Sequence, residues 1–361
     1  MSLPLKADGG AGGERRTLEL GELGGERRAL ELGEAGGERR ALELARSGDD
    51  SAFGALVGPY RAELHAHCYR MLGSVHDAED ALQDALLRAW KGLPGFEGRS
   101  SVRAWLYTVV TNAALDLAKR RPRSELEPYP DRLLGDLLEP SPEAMHEQRE
   151  SLELAFIVAL HELPPLQRAV LILHDVVGFS ARETAGALVT SVPAVTSALQ
   201  RARAATRAGL PARGQQEVLR SLGDERLQAL AARYADAMQR GDADLLVSML
   251  ASDIAYTMPP PPTCLRSHAA IRDFIREDVA SQRWQHRVTR ANGQLAIGCY
   301  MLDPASVRYF GAAIDVLTLD GDRITAIRAF LTVELLAQQG WDGSFAAADF
   351  AGFGLPAELP A

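Results

Sequence analysis

Cysteine is scarce in this 361-residue chain: Cys68, Cys264 and Cys299 stand far apart without a paired spacing. That argues against a disulfide framework and fits a reducing cytosol. Long apolar runs are missing too. No stretch of about 18 apolar residues occurs, which excludes a transmembrane helix. Met1–Gly13 has no apolar core and does not read as a secretory signal. A cytoplasmic protein with no membrane partner is the expectation. Positive charge is not in excess, since the formal net charge is −9. This argues against a generally basic nucleic-acid binder but leaves room for local basic patches. No GxxxxGK[ST] loop and no strand-linked GxGxxG occurs, so those nucleotide motifs are unsupported. His65, His67 and Cys68, with His76 nearby, are metal-ligand types, but positions 65, 67 and 68 of one helix diverge in direction. No metal and no cofactor is expected.

What is present is ordinary globular composition, 47% hydrophobic and 24% charged, over a length that suggests two or three domains. The chain opens on a repeat, with GGERR at Gly12, Gly24 and Gly36, a period of twelve. Each unit has only two or three leucines and a helix-breaking Gly-Gly pair, so residues 1–47 read as a disordered or loosely helical arm. Helical periodicity covers Ser51–Arg121. A Pro-rich acidic stretch follows, and 122–144 reads as a flexible linker. Helical pattern returns over 145–210, and 211–224 reads as a second linker. From Glu225 two helical stretches lead into strand-like alternation, as in Ile254, Tyr256, Met258 and in Trp284, His286, Val288. Asp320-Gly321 reads as a hairpin turn. The last part, 225–361, is therefore α+β, with a mostly antiparallel sheet.

The sharpest local motif is FSARETAGALVTSVPAVTSALQRAR, Phe179–Arg203. Ser180 and Glu183 have capping-box spacing. Pro193 suits the first turn of a second helix, where its missing N–H costs nothing. Val195, Ala198, Leu199 and Ala202 share the inward face. Thr196, Gln200, Arg203 and Arg207 point outward, flanked by Ser197 and Arg201, with Ser191 in the preceding turn. Hydroxyl, amide and guanidinium groups on one exposed helix face suit a DNA major groove. Arg201, Arg203, Arg207 and Arg213 suit phosphates.

Two upstream helices are weaker alone. In His76–Trp90 an apolar face (Ala78, Leu82, Ala85, Leu86, Ala89) opposes an acidic one. That acidic face fits either plain solvation or a protein partner, and it cannot be a DNA surface. In Phe96–Lys119, Val102, Trp105, Leu106, Val109 and Ala113 are expected inward and Arg103, Tyr107 and Thr111 outward, with Thr108 and Asn112 beside them. An aromatic, amide and Arg row suits unstacked bases.

Together, CYRMLGSVHDAEDALQDALLRAW, FEGRSSVRAWLYTVVTNAALD, LPPLQRAVLILHDVVGFSARETA and VTSALQRAR, in that order and spacing, resemble the sigma-70 family of RNA polymerase sigma factors in its extracytoplasmic-function (ECF) group. The resemblance implies region 2 over 48–121 and a region 4 helix-turn-helix over 145–210. It implies that Asp77, Glu79, Asp80, Gln83 and Asp84 dock on the clamp helices of core RNA polymerase. It implies that Phe96, Arg99, Arg103, Tyr107, Thr111, Asn112, Lys119 and Arg120 contact the −10 element of promoter DNA. The −35 element would fall to Ser191, Thr196, Ser197, Gln200, Arg201, Arg203 and Arg207.

The C-terminal RYADAMQRGDADLLVSMLASDIAYTMPPPP and SHAAIRDFI resemble a SnoaL-like domain, which implies a cone with a curved sheet. The TMPPPP stretch and the closing FGLPAEL resemble the sigma G type of ECF factor. The DGGGK motif of the sigma J type is absent, and Thr263-Cys264 stands where the family often has Trp-Tyr. Tyr256, Met258, Phe274, Trp284, Tyr300 and Phe330 are candidate lining for a pocket that takes a small-molecule ligand. Asp253, His268, His286 and Asp315 are of types that could do acid–base chemistry there, but no spacing pairs them. The expectation is a multidomain, non-enzymatic transcription factor with no catalytic residue.

Overall fold

The computed structural model describes residues 37–121, 126–134, 149–207, 210–211 and 213–361. Most of the repeat arm and of 122–148 lies outside the described residues. The chain divides into two compact units, the smaller described over 37–59 and 90–97. In the smaller unit helix α1 (37–46) is followed by α2 (Asp50–Val57). The Asp49 carboxylate caps α2 by accepting from the Ala52 amide at 3.0 Å. Phe53 packs on Trp90 with ring centroids 5.0 Å apart, and the Arg46 guanidinium sits 5.8 Å over the buried Phe96 ring.

The larger unit begins with α3 (Arg61–Leu72), α4 (Val75–Gly92, as far as Ala89) and α5 (Val102–Arg120). Gly73 ends α3 at φ +78°, and a Cβ there would lie 2.5 Å from Leu126 and 2.6 Å from the His161 ring. Residues 126–134, expected within a flexible linker, are instead packed. Tyr129 is fully buried, its ring 4.7 Å from Tyr69 and 5.7 Å from His65 by centroid. The cause is that aromatic ring, whose burial outweighs the loop character of its proline-rich neighbours.

Then come α6 (Leu154–His161), α7 (Pro165–Leu171) with a π turn at Ile172–Val176, α8 (Ala181–Ala187) and α9 (Val192–Arg207). The expected second linker holds a helix, α10 (Gln215–Leu222). It forms because Val218 and Leu219 bury an apolar stripe. The Gln215 amide also pairs both backbone groups of Leu319, at 2.9 and 2.8 Å.

Helices α11 (Asp224–Arg240) and α12 (Ala243–Met249) lead into the sheet. Its strands are β1 (Leu250–Met258), β2 (Thr263–Leu265), β3 (Trp284–Ala291), β4 (Gln294–Asp303), β5 (Arg308–Asp320), β6 (Arg323–Leu331) and β7 (Glu358–Pro360), with α13 (His268–Phe274) after β2 and α14 (Val333–Gln338) after β6. The order is β2-β1-β6-β5-β4-β3, with β7 on β5. Only β1–β6 is parallel. Gly321-Asp322 forms the two-residue β5–β6 turn after Asp320, and Asn292-Gly293, both at positive φ, forms the β3–β4 turn. One sheet face packs on α11, α12 and α13, and the other on the C-terminal Phe345, Phe350 and Phe353.

Candidate nucleic-acid interface

The capping box closes as the spacing predicts. Ser180 Oγ accepts from the Glu183 amide at 3.2 Å, and Glu183 Oε2 accepts from the Ser180 amide at 2.8 Å and hydroxyl at 2.7 Å. Helix α9 starts at Val192 with Pro193 in its first turn and buries Val195, Ala198, Leu199 and Ala202. Ser191, Thr196, Ser197, Gln200, Arg201, Arg203 and Arg207 are all exposed. They form one polar, cationic ridge suited in size and chemistry to a major groove. Arg203 is held in a two-pronged pair by Asp175, at 2.9 and 2.5 Å. Burial pushes the Asp175 carboxyl up, but Arg203 and His174 outweigh it and hold it below its ordinary range.

On α4 the acidic face is split. Glu79, Asp80, Gln83 and Asp84 reach solvent, Glu79 receiving Arg61 and Gln83 at 2.9 Å each. Asp77 does not: it is buried and receives a close bond from Arg121, which also reaches Asp80 at 3.2 Å.

On α5 the expected outward row needs correction. Tyr107 and Thr111 are buried, at 1% and 0% exposure. Thr111 Oγ1 donates to the Tyr107 carbonyl at 2.6 Å, so it accepts from His67 Nε2 at 2.8 Å. Tyr107 meets Phe179 edge-on at 6.0 Å, and Asn112 donates to the Ala187 carbonyl at 3.2 Å. The face is covered because α5 is packed on one side by α3 and on another by the α7–α8 segment. Arg103 is half-buried, paired with Glu63 at 3.0 Å and stacked 4.8 Å over Tyr107. Phe96 is buried, while Arg99, Lys119 and Arg120 are exposed.

The third feature is a cavity of about 690 Å³ inside the sheet. Tyr256, Met258, Phe274 and Trp284 line it as expected from their types. Tyr300 and Phe330 do not: they lie in the cluster on the opposite face, with Phe350 and Phe353. Register explains this, since Cys299 opposite His286, and Ala329 opposite Asp315, take the cavity side and their neighbours Tyr300 and Phe330 the other. Of the four acid–base candidates, Asp253 is exposed and His268 caps the Ala251 carbonyl at 2.8 Å, whereas His286 and Asp315 both line the cavity. Tyr234, unforeseen from sequence, donates its hydroxyl to Asp315 at 2.8 Å. Burial raises the Asp315 carboxyl to about 6, partly offset by Tyr234 and Cys299.

Comparison with known proteins decides the family. The sigma-70 region 2 pattern matches residues 56–124, sigma-70 region 4 matches 153–205, and the SnoaL-like domain matches 231–327. ECF RNA polymerase sigma factor SigG of Mycobacterium tuberculosis is 38% identical over 315 residues, covering 80% of this chain and 83% of that protein. The chain belongs to the ECF sigma factors. SigJ of the same organism is 33% identical over 201 residues, 55% of this sigma factor and 62% of SigJ. The crystal structure of SigJ overlays 80% of this chain and 98% of its own, with TM-score 0.52 at 23% identity, a likeness of fold.

In this sigma factor the SnoaL-like domain is bonded into regions 2 and 4 through a residue sequence reasoning missed. Asn292, fully buried at the β3–β4 turn, donates Nδ2 to Tyr69 Oη at 3.0 Å and to the Leu152 carbonyl at 3.1 Å. Its Oδ1 accepts from the Tyr129 amide at 3.0 Å, and its own amide donates to the Tyr129 carbonyl at 2.9 Å. Next to it Gly293 donates to Asp131 at 2.8 Å, and Gln294 Oε1 accepts from Leu154 N at 2.8 Å. Glu127 forms a second link, accepting from Ser344 at 2.5 Å and from the Val75 amide at 2.7 Å. The Asn-Gly dipeptide was a readable turn signal, but its burial was not. Among the described residues no helix is long and apolar enough to cross a membrane.

Proposed function

We propose that this sigma factor engages core RNA polymerase through the exposed Glu79, Asp80, Gln83 and Asp84 of α4. It reads the −35 element of promoter DNA with the α9 ridge and captures melted −10 bases with the α5 face. The cytoplasm is its place of work. Its SnoaL-like domain is a non-catalytic regulator that holds regions 2 and 4 in a closed, low-activity arrangement.

The observation that carries this reading is the covered α5 face. Tyr107 and Thr111 are buried, and Asn112 bonds to Ala187 of region 4. A helix so covered cannot stack bases, so promoter melting requires regions 2 and 4 to part. The Asn292 and Glu127 links oppose that parting. A sensor role for the SnoaL-like domain is supported by its cavity, which is lined by apolar and polar side chains and holds the buried His286 and Asp315 among its ionisable groups.

Run-off transcription with purified core polymerase and a pool of promoter fragments tests the reading. Promoter-dependent RNA is expected, at a higher level from an Asn292→Ala chain than from the parent. No binding of the chain to core polymerase, or lower output from Asn292→Ala, would overturn it.

A further inference from the structure

We infer that His76, Glu127 and Asp349 form a proton-operated latch. It ties the closing segment of the SnoaL-like domain to α4 of region 2 while the His76 ring carries both its protons, and it lets go when one is lost. The latch deepens the regulatory reading above by naming its signal, and its effect on transcription rests on that reading.

Geometry points to the latch first. His76 stands in the first turn of α4 and is half-exposed, so protons reach it from solvent. Its Nδ1 lies 3.1 Å from Oε2 of Glu127, and its Nε2 lies 3.4 Å from Oδ1 of Asp349 in the 3-10 helix Ala347–Phe353. Both ring nitrogens thus face carboxylate oxygens. A neutral imidazole has one donor and one acceptor, so it would turn a lone pair on one of the two carboxylates. Only the doubly protonated ring donates to both.

Glu127 makes the charge on the ring matter. An exposed ion pair contributes little, but this carboxylate is buried at 2% exposure. Its Oε2 accepts from the Val75 amide at 2.7 Å and faces His76, while its Oε1 accepts from Ser344 at 2.5 Å. Its backbone is pinned, since its amide donates to the Gly73 carbonyl at 2.9 Å and its carbonyl accepts from Tyr69 at 2.8 Å. A buried carboxylate is costly without a cation, and its ion-pair partner among the described residues is His76.

The other charges nearby are engaged elsewhere. On α4 itself Glu79 receives Arg61, and Asp77 and Asp80 are turned to Arg121 at the end of α5. Glu334 of α14 accepts from the Ala347 amide at 3.0 Å, and Arg328 of β6 stacks on Phe330 at 5.6 Å. His161 of α6 lies beside Gly73, in the turn before α4. The N-terminal end of α4 disfavours a cation. Burial also works against the charge, but Glu127 and then Asp349 outweigh it and hold the ring above its ordinary value of 6.5. The closed chain therefore keeps this proton more tightly than an opened one. The latch is at full strength below about pH 6.5 and is lost as pH rises through the raised value. A rise in pH is the activating direction.

Amide hydrogen exchange of the full chain tests this. It is read at Tyr129, Asn292 and Gly293, whose amides bond across the joint between the SnoaL-like domain and the segment 126–134. Comparing parent and variant at one pH cancels the intrinsic pH dependence of exchange. At about pH 6 the parent is expected to exchange roughly fivefold more slowly than His76→Gln, and at about pH 8.5 at the same rate. Asp349→Asn, which keeps an oxygen for the Ala346 amide, should fall between the two in the acid buffer. Should His76→Gln fail to fold, Asp349→Asn carries the same comparison. Equal exchange of parent and both variants in the acid buffer would overturn the inference. So would a gap of the same size in both buffers, which is what a merely structural contact gives.

Run-off transcription in the same two buffers addresses the regulatory reading. The output of the parent relative to His76→Gln is expected to rise from the acid to the alkaline buffer, whereas a fixed effect of the substitution on core binding would not change with pH. Joint exchange that follows pH while this ratio stays flat would leave the latch standing and sink the regulatory reading.

Discussion

Asn292 of the SnoaL-like domain donates its side-chain amide to the hydroxyl of Tyr69 on α3 of region 2, at 3.0 Å and fully buried. Residues 223 apart in sequence are joined by one bond, and the same amide also reaches Leu152 at the edge of region 4. The turn that makes this contact connects β3 to β4, the strands that carry His286 and Cys299 into the cavity. One hairpin thus joins the cavity-bearing sheet to regions 2 and 4.

Two substitutions separate the backbone and side-chain contributions of this residue. Asn292 sits at φ +55°, where Asn and Gly are tolerated and other residues are strained. Asn292→Gly keeps the turn and loses the amide, leaving the Tyr129 amide and the Leu152 carbonyl with unmet bonds. It should destabilise the full chain by about 2 kcal/mol. Asn292→Ala should cost about 1 kcal/mol more for the left-handed backbone. Denaturant melts monitored by circular dichroism check both, and parent-like melts for the alanine variant would contradict the buried link.

Asp315 and His286, two buried ionisable groups of the cavity, give stability opposite dependences on pH. Burial raises the Asp315 carboxyl to about 6, so the folded chain holds that proton more tightly than the unfolded chain. Its contribution is full at low pH and is lost as pH rises to about 6. His286 is lowered to about 4 by burial and Arg287, so its contribution is present above its ordinary pKa and is lost as pH falls towards 4. Over the interval between, the slopes oppose. Asp315→Asn should therefore make stability rise more steeply with pH than in the parent, and His286→Leu should make it fall. Each effect is bounded at about 3 kcal/mol. Thermal melts at a series of pH values from about 4.5 to 7 check the signs, and a shared sign would refute the assignment.

The capping box sets the helix-turn-helix. Ser180→Ala removes the acceptor for the Glu183 amide and the donor to its carboxylate. A loss of about 1 kcal/mol is expected. Ser180→Asp, which keeps an N-cap acceptor, should recover part of it in the same melts. Equal melts for Ser180→Ala and the parent would show that tertiary packing alone fixes α8.

What sequence could show here was local. The Ser180–Glu183 spacing and the buried row Val195, Ala198, Leu199, Ala202 depend on one helix and its cap, and both stand in the structure as read. The facing of Tyr107 and Thr111 depends on which partners cover α5. A helix with apolar or small residues on several sides does not announce which side region 4 will take. In the sheet, alternation separates Tyr300 from Cys299 and Phe330 from Ala329, yet it cannot say which face is concave. That His286 and Asp315 line one cavity needs the register of three strands, and the contact of Tyr234 with Asp315 needs the seat of α11 on the sheet. Asn292 was hidden for the same reason: the turn is legible, its insertion between other domains is not.

The α9 ridge divides into groups that should respond differently to salt. Arg201 is exposed, and Arg203 is tied to Asp175. A cation that only meets phosphate contributes affinity irrespective of sequence, and losing it lowers the magnitude of the salt slope by about 1. A side chain that meets a base edge changes which sequence is preferred, by about 1–3 kcal/mol. Arg207, one turn beyond Arg203 at the helix end, is expected to be of the first kind. Gln200, in the middle of the ridge, is expected to be of the second. Promoter binding by the polymerase holoenzyme, titrated over salt with wild-type and −35-scrambled DNA, separates them. Arg207→Ala should weaken both DNAs equally and flatten the salt dependence, whereas Gln200→Ala should narrow the gap between the DNAs at unchanged slope. Asp175→Asn should release Arg203 from its pair and strengthen binding to both DNAs, most at low salt. If Gln200→Ala instead weakened both DNAs alike, the centre of the ridge would be reading backbone, and sequence preference would have to come from Ser191 and Thr196 at the start of the helix.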